Sequence, residues 1–346
     1  MTTINVAVIG ATGAVGQTFV RLLEGHPWFH LTELVATDRH AGTPYGESVA
    51  GIGGDAPAFA RAHRLRTVED DLDADVCFSA LPGGKAAAIE RSLADRGYKV
   101  FTNARDLRLE EDVPLVIPEV NPEHLALVDR QPSRSRGGFV VANGNCTAII
   151  LALALKPLAD RFGLEACHVV SMQALSGAGY PGVPSLDITD NLIPYIADEE
   201  GKVESEVPKI LGRWNGGGIA PAPVAVSATC TRVPVIDGHT LAVSARFTKP
   251  AEAEEICDAW TSFSGAPQQL RLPTAPDHPI LYRQEADRPQ PRRDRGAGNG
   301  MTVTVGRLRP DPLLGWKFIV SGSNTVRGAA GASLLNAELA AAKGFL

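Results

Sequence analysis

The sequence predicts an α/β chain of two domains: an N-terminal parallel sheet of the doubly wound kind, then a second α+β domain. Three observations carry this. Short Val/Ile/Leu-rich runs at 4–9, 31–36, 75–81, 98–102, 114–117 and 138–142 alternate with helical patterns such as 16–24 and 84–96, which reads as βαβ units. Near residue 143 the character changes to a long apolar helix from about Thr147. Longer runs follow at 166–171, 224–231, 239–247 and 301–309, and these read as antiparallel strands. Finally, 328–343 is rich in Ala and Leu and reads as a helix returning to pack on the first domain. The expected domains are therefore 1–144, completed by the C-terminal segment 325–346, and 145–324. Gly and Pro cluster at 176–184, 215–223 and 287–300, where neither helix nor strand continues, so these are loops.

Composition narrows the function classes. At 346 residues, with 44% hydrophobic and 21% charged, the chain can bury a full core in each of two domains. A formal charge of −6 offers no basic footprint for nucleic acid, and the Arg-rich pieces 130–136 and 288–295 are short, Pro-flanked and read as solvated loops. Met1 leads into the first apolar strand without a basic leader. No apolar run approaches the roughly 18 residues needed to span a bilayer, so a cytoplasmic protein without a membrane partner is expected. The five cysteines (Cys77, Cys146, Cys167, Cys230, Cys257) are widely spaced and lack a C-x-x-C pair, which argues against disulfides and against a zinc site. Most should be small buried hydrophobes, and no metal is expected.

The stretch Asn5-Val-Ala-Val-Ile-Gly-Ala-Thr-Gly-Ala-Val-Gly16 places a strand before Gly10, Gly13 and Gly16 and then a helix. Glycines there allow a tight turn and close backbone approach, and the N–H groups at the helix start meet phosphate charge, so a Rossmann-type dinucleotide cradle is expected. At the end of the second strand, Thr37-Asp38-Arg39 bears on the cofactor. The guanidinium fork of Arg39 and the hydroxyl of Thr37 suit a 2′-phosphate and favour NADP, while Asp38 leaves NAD or dual use open.

Cys146, in Val141-Ala-Asn-Gly-Asn-Cys-Thr147, falls where a strand ends and the apolar helix begins. A helix N-terminus stabilises a thiolate, and an adjacent backbone N–H or the amide of Asn145 could meet an oxyanion. A structural cysteine capped by Asn is the competing reading. Of eight histidines, His239 lies in a Gly-led segment suggestive of a site, Thr231-Arg-Val-Pro-Val-Ile-Asp-Gly-His-Thr240, and is assigned as acid/base; on spacing alone a satisfied structural histidine competes. Arg232, seven residues earlier, could pair bidentately with a carboxylate or form an ordinary surface ion pair.

These residues resemble the aspartate-semialdehyde dehydrogenases, in particular their archaeal and fungal branch, over nearly the whole chain. The carrying motifs are GATGAVG, NARDLR with VPLVIPEVNPEHL, NGNCT, SMQALSGAGYPGVPSLDITDNLIPYI, EEGKVESEVPKIL, TRVPVIDGHT and NTVRGAAGASLLNAEL. The resemblance implies Cys146 as the acyl-accepting nucleophile, Gln173 orienting the reacting group, Arg232 on the substrate carboxylate and His239 as acid/base. It further implies Glu199 near the substrate amino group, Lys202 and Arg105 at the phosphate, and Asn103 and Asn145 assisting. Glu200, Glu204 and Glu206 compete with Glu199 for its role. The expected cofactor-binding set is Gly10, Thr12, Gly13, Ala14, Val15, Gly16, Thr37, Arg39, Leu81, Ser176, Gly177, Asn324 and Thr325. NADPH-dependent reduction of aspartyl phosphate through a Cys146 thioester follows as the implied activity, in a homodimer or homotetramer built through the second domain.

One departure stands near the C-terminus, where Gly322-Ser-Asn-Thr-Val-Arg-Gly-Ala-Ala330 carries Ser323 at the place where relatives of this kind often carry histidine. Two other readings remain open: a reductase for an acyl-coenzyme A such as malonyl-CoA on the same scaffold, and a nucleotide-binding regulator without catalysis.

Overall fold

The computed structural model describes residues 3–49 and 55–346. The chain divides into two compact units, Met1–Val116 with Glu123–Asn143 and Ser333–Leu346, and Ile117–Pro122 with Gly144–Ala332.

In the first unit, β1 (Ile4–Ile9), β2 (Phe29–Val35), β3 (Val76–Ser79), β4 (Lys99–Thr102) and β5 (Phe139–Ala142) form a parallel sheet in the order β2-β1-β3-β4-β5. β3 and β5 are buried at every residue, as expected of strands covered on both faces. Helices α1 (Ala14–Leu22), α2 (Tyr45–Ser48) and α3 (Ala86–Asp95) belong to this unit. The run 114–117 is not a strand. Pro114 opens it and Pro118 follows it, neither can donate to a ladder, and it makes an isolated parallel bridge, Leu115 to Ala142. Nor is 130–136 merely a solvated loop. Pro132–Arg136 forms a 3-10 turn, and the buried Gln131 amide both donates to the Val140 carbonyl and accepts from its N–H, each at 2.7 Å, which ties the segment to β5.

In the second unit, β6 (Leu164–Gln173), β9 (Ala225–Arg232), β10 (His239–Phe247), β11 (Ile280–Arg283), β12 (Val303–Asp311) and β13 (Gly315–Gly322) form one sheet in the order β11-β12-β13-β10-β6-β9. A separate ribbon pairs β7 (Arg213–Trp214) with β8 (Ile219–Ala220). The expectation of antiparallel strands holds for β6/β10, β10/β13 and β12/β13 but fails at both edges, because β6/β9 and β11/β12 are parallel. Helix α4 (Cys146–Phe162) is buried along most of its length, which is why its sequence is apolar with little periodicity. The remaining helices are α5 (Ser185–Ile188), α6 (Glu199–Ile210), α7 (Ala253–Thr261), α8 (Ala266–Leu270), α9 (Pro291–Asp294) and α10 (Gly331–Ala342). The single helix expected over 328–343 is instead a π-helical turn, Val326–Ala330, running into α10.

Register fixes the place of the site. Gln173 at the end of β6 pairs with Arg232 at the end of β9, Met172 pairs with Thr240, and His239 at the start of β10 pairs with Gly322 at the end of β13. Three functional candidates therefore gather at one end of this sheet.

Candidate active site

The Gly-rich turn of the first unit is built by contacts that only glycine allows. Gly10 has φ +77°, and a Cβ there would lie 2.8 Å from the Ala80 carbonyl oxygen; one at Gly16, inside α1, would lie 2.3 Å from the Gly10 oxygen. Gly13 caps α1 without a side-chain bond, Ala14 and Val15 form its first turn, and the Thr12 carbonyl accepts from the Gln17 amide at 2.9 Å. A cavity of about 380 Å³ opens beside the turn, lined among others by Gly10, Thr12, Gly13, Thr37, Asp38 and Leu81. Arg39 is exposed and outside that lining, its Nε–H donating to His40 Nε2 at 2.9 Å. A close-packed turn, an open helix N-terminus and a cavity at the strand ends fit a dinucleotide. On the loop after β4, Asn103 accepts from the Asn143 amide at 2.9 Å and donates to the Ser79 carbonyl at 3.3 Å. Arg105 packs over Gly83, where a Cβ would come within 3.0 Å of its side chain.

The second unit holds Cys146 and His239. Cys146 is the first residue of α4 and is half-buried, and its Sγ lies 3.2 Å from His239 Nε2. Asn145 caps the helix, its Oδ1 accepting from the N–H groups of Thr147 (2.9 Å) and Ala148 (3.2 Å), so those two donors serve the cap rather than an oxyanion. The other buried cysteines differ in kind. Burial pushes the thiols of Cys77 and Cys167 up to about 12 and that of Cys230 to about 11, far from thiolate chemistry.

His239 is fully buried, and its Nδ1 accepts the backbone N–H of Ala174 at 3.1 Å. That bond leaves the imidazole proton on Nε2, directed at the sulfur. Burial, and after it the Arg232 charge, pull the imidazole down to about 3, so it is neutral near pH 7. Arg232 itself is 5% exposed; its Nη1 donates to the Ala174 carbonyl at 2.7 Å, and burial lowers its own value. Gly177 makes this crowding possible, since a Cβ there would sit 2.8 Å from Arg232 Nη1 and 3.1 Å from His239 Cε1.

Helix α6 sorts the acidic run. Glu199 Oε1 accepts from the Asn145 amide at 2.7 Å and from the Gln173 amide at 3.1 Å, while Oε2 pairs with Lys202 at 3.1 Å. Gln173 also donates to Thr147 Oγ1 at 2.9 Å. Burial alone would push the Glu199 carboxyl up, but the Asn145 bond, the Lys202 charge and the Gln173 bond outweigh it and hold it below the usual range. Glu206 Oε2 accepts the backbone N–H of Asn145 at 2.5 Å. Glu200 and Glu204 turn away, accepting the N–H groups of Cys230 (3.0 Å) and Ala228 (2.9 Å) on the edge strand β9. Only Glu199 and Glu206 of these four are therefore bonded to Asn145, the residue before Cys146.

Ser176, Asn324 and Thr325 share one network in this unit. Asn324 donates to Ser176 Oγ at 2.8 Å and accepts from the Gly238 N–H at 2.8 Å, and both Ser176 and Thr325 donate to Asp237 Oδ1, at 2.9 and 3.1 Å. Ser323 closes the turn by accepting the Val326 N–H at 3.1 Å, a local role that needs no histidine.

Sequence reasoning passed over Asp237 and Gly328. A Cβ at Gly328 would lie 2.6 Å from that of Cys146, so the π-helical turn packs its bare backbone against this cysteine. The available signal was a glycine beside an Ala-rich helix. Among the described residues no group of three or more His, Cys, Asp or Glu side chains is placed to hold a metal ion.

Comparison with known proteins adds independent findings. A family model described as semialdehyde dehydrogenase, NAD binding domain, matches residues 5–128, and one described as semialdehyde dehydrogenase, dimerisation domain, matches 155–327. The aspartate-semialdehyde dehydrogenase of Archaeoglobus fulgidus is 54% identical over 339 residues, covering 97% of each chain. Among solved structures, aspartate semialdehyde dehydrogenase with NADP from Candida albicans matches at TM-score 0.92 and 39% identity, over 99% of this chain and 100% of that one. Aspartate semialdehyde dehydrogenase II complexed with ASA from Vibrio cholerae matches at TM-score 0.79 and 29% identity, over 99% of each.

Proposed function

The chain belongs to the aspartate-semialdehyde dehydrogenase family, and on that premise we propose that it reduces L-4-aspartyl phosphate to L-aspartate 4-semialdehyde and phosphate, reversibly, through a thioester on Cys146. The reaction serves biosynthesis of the aspartate-family amino acids lysine, threonine and methionine. The observation that carries the reading is the Sγ of Cys146, at the N-terminus of α4, 3.2 Å from the Nε2 of a neutral buried histidine.

The Cys146 thiolate attacks the acyl carbon, a C–S bond forms, and the C–O bond to phosphate breaks with its electron pair leaving on phosphate, which takes up a proton. Arg105 and Lys202 would meet the leaving phosphate, with Asn103, on the same loop as Arg105, assisting. Gly10–Gly16, Thr37, Arg39 and Leu81, with Ser176, Gly177, Asn324 and Thr325, would hold NADPH, which would supply the hydride that reduces the Cys146 thioester to a thiohemiacetal oxyanion. The carbonyl then re-forms and expels the thiolate. His239 keeps its proton on Nε2 throughout, donating a hydrogen bond to the sulfur while that is anionic and to the oxyanion between; on this reading it stabilises charge and does not transfer the proton expected of an acid/base. The base side would require a proton on Nδ1, where the Ala174 N–H already donates.

Substrate groups find matching partners. Arg232 suits the α-carboxylate, and Glu199, a buried carboxylate held ionised, suits the α-ammonium, which would replace the Lys202 ammonium on Oε2 and release Lys202 to the phosphate. Malonyl-CoA has no ammonium to offer Glu199, which disfavours the acyl-CoA reading. The NADP in the Candida albicans relative supports NADP here, with Asp38 rather than Arg39 lining the cavity as the argument for some use of NAD. Self-association through the second unit is supported by Tyr180, Leu186 and Tyr195, which are 67, 91 and 65% exposed within the span matched by the dimerisation-domain family. We place the enzyme in the cytoplasm; no helix of the described residues is long and apolar enough to cross a membrane.

The test is acyl-enzyme trapping. The purified protein with aspartate semialdehyde and NADP, without phosphate, should gain one β-aspartyl group on the Cys146 peptide by mass spectrometry with a stoichiometric burst of NADPH, and adding phosphate should release the group as the acyl phosphate and allow NADPH formation to continue. Cys146→Ser should bind NADP normally and show neither. Activity with malonyl-CoA alone would overturn the substrate assignment, and turnover by Cys146→Ser would overturn the thioester.

A further inference from the structure

We propose that Glu206 is a positioning residue for the nucleophile, its buried carboxylate gripping the main chain immediately before Cys146. The inference rests on Cys146 being the reactive thiol and goes beyond the substrate groups assigned above.

Glu199 and Glu206 are seven residues apart on α6, close to two full turns, so both carboxylates leave the helix on the same face. Both end on Asn145. Glu199 Oε1 takes its side-chain amide at 2.7 Å, and Glu206 Oε2 takes its backbone N–H at 2.5 Å. Asn145 Oδ1 in turn caps α4 through Thr147 and Ala148. The residue preceding the nucleophile is thus fixed at its main chain by one carboxylate, at its amide by a second, and at its carbonyl oxygen by the helix it starts. Gly144 lies beside this bond: a Cβ there would be in ordinary contact with Glu206 Oε2 at 3.6 Å and would press on Ile149 Cγ1 at 3.0 Å.

Glu206 and Glu199 divide the work. Glu206 is 2% exposed and faces the main chain, whereas the second oxygen of Glu199 faces a half-buried lysine that a substrate cation can replace. Without Glu206 the Asn145 N–H, in a residue 6% exposed, would be left buried without this acceptor, and the peptide entering Cys146 would move to find another. A displaced peptide re-aims Sγ, and thiolate attack is steeply sensitive to aim.

Three variants test this: Glu206→Ala, which removes the acceptor; Glu206→Gln, which keeps a carbonyl acceptor at the same reach without the charge; and Glu206→Asp, which withdraws the carboxylate by one methylene. Each is assayed for kcat, for KM toward semialdehyde and NADP, and for the pH profile of Cys146 alkylation by iodoacetamide without substrates. In Glu206→Ala and Glu206→Asp, kcat should fall roughly tenfold or more with the NADP KM within about twofold of the parent, and the alkylation profile should shift. Glu206→Gln should stay near the parent in both. A folded Glu206→Ala with parental kcat and alkylation profile overturns the proposal, as does a Glu206→Gln impaired as deeply as Glu206→Asp, and the latter pair decides if Glu206→Ala fails to fold. A parent enzyme whose Cys146 is not alkylated would instead refute the nucleophile assignment.

Discussion

Replacing His239 with asparagine should make the second unit less sensitive to acid, because the native imidazole refuses a proton that the unfolded chain accepts. In the unfolded chain this histidine titrates near 6.5; in the fold, burial and the Arg232 charge hold it at about 3. The groups facing it are Cys146 from α4, Arg232 from β9 and Glu199 from α6. Above pH 6.5 neither state is protonated and the residue adds no pH dependence. As the pH falls from 6.5 toward 3 the unfolded state gains a proton and the native state does not, so stability is lost across that window. At about 1.36 kcal/mol per pH unit, the loss from His239 by pH 5 is about 2 kcal/mol. Asparagine can still accept the Ala174 N–H through Oδ1 and does not titrate. Urea unfolding followed by tryptophan fluorescence at pH 8 and pH 5, in parent and variant, isolates the contribution as the difference between the two pH-dependent losses. The parent should lose about 2 kcal/mol more than His239→Asn. Equal losses would refute the buried neutral imidazole.

Three further outcomes are expected. Arg39→Ala should weaken NADP far more than NAD by fluorescence titration, and equal weakening of both would remove Arg39 from the 2′-phosphate. Gly328→Ala, which puts a methyl 2.6 Å from Cys146 Cβ, should cut kcat by more than about tenfold and lower unfolding free energy by roughly 1–3 kcal/mol, and a variant with parental turnover would show that the π-helical turn yields freely. Arg327→Leu should cost about 3–5 kcal/mol, because the fully buried Glu119 loses the bidentate partner now at 2.6 and 3.1 Å; a thermal midpoint unchanged from the parent would contradict that.

The parts of the molecule legible in the sequence were those whose chemistry is local. The Gly10–Gly16 turn and the placement of Cys146 at a strand-to-helix junction depend on neighbours a few residues away, and both stand where expected. The run 114–117 misled because its apolar residues are buried, as a strand's would be, while Pro114 and Pro118 deny it a ladder. Parallel pairing of β6 with β9 could not be read, since strand direction is set by the path of the intervening chain and not by composition. Within the acidic run the four glutamates look alike; their helical phase separates 199 and 206 from 200 and 204, and that phase becomes meaningful only once Asn145 and β9 are seen on opposite sides of α6. Gly328 was hidden for the same reason, its importance being a contact across 182 positions of chain.

The outward row of β9 carries a consequence for how copies of the chain behave at high concentration. An open sheet margin invites a strand from a second molecule to add on, the first step toward fibrils and inclusion bodies. Here two successive outward donors, those of Ala228 and Cys230, are occupied by acids from the molecule's own helix, and an incoming strand would have to displace them while meeting their charge. If these acids guard the margin, replacing Glu200 and Glu204 by alanine should leave turnover near normal while yield in soluble form declines.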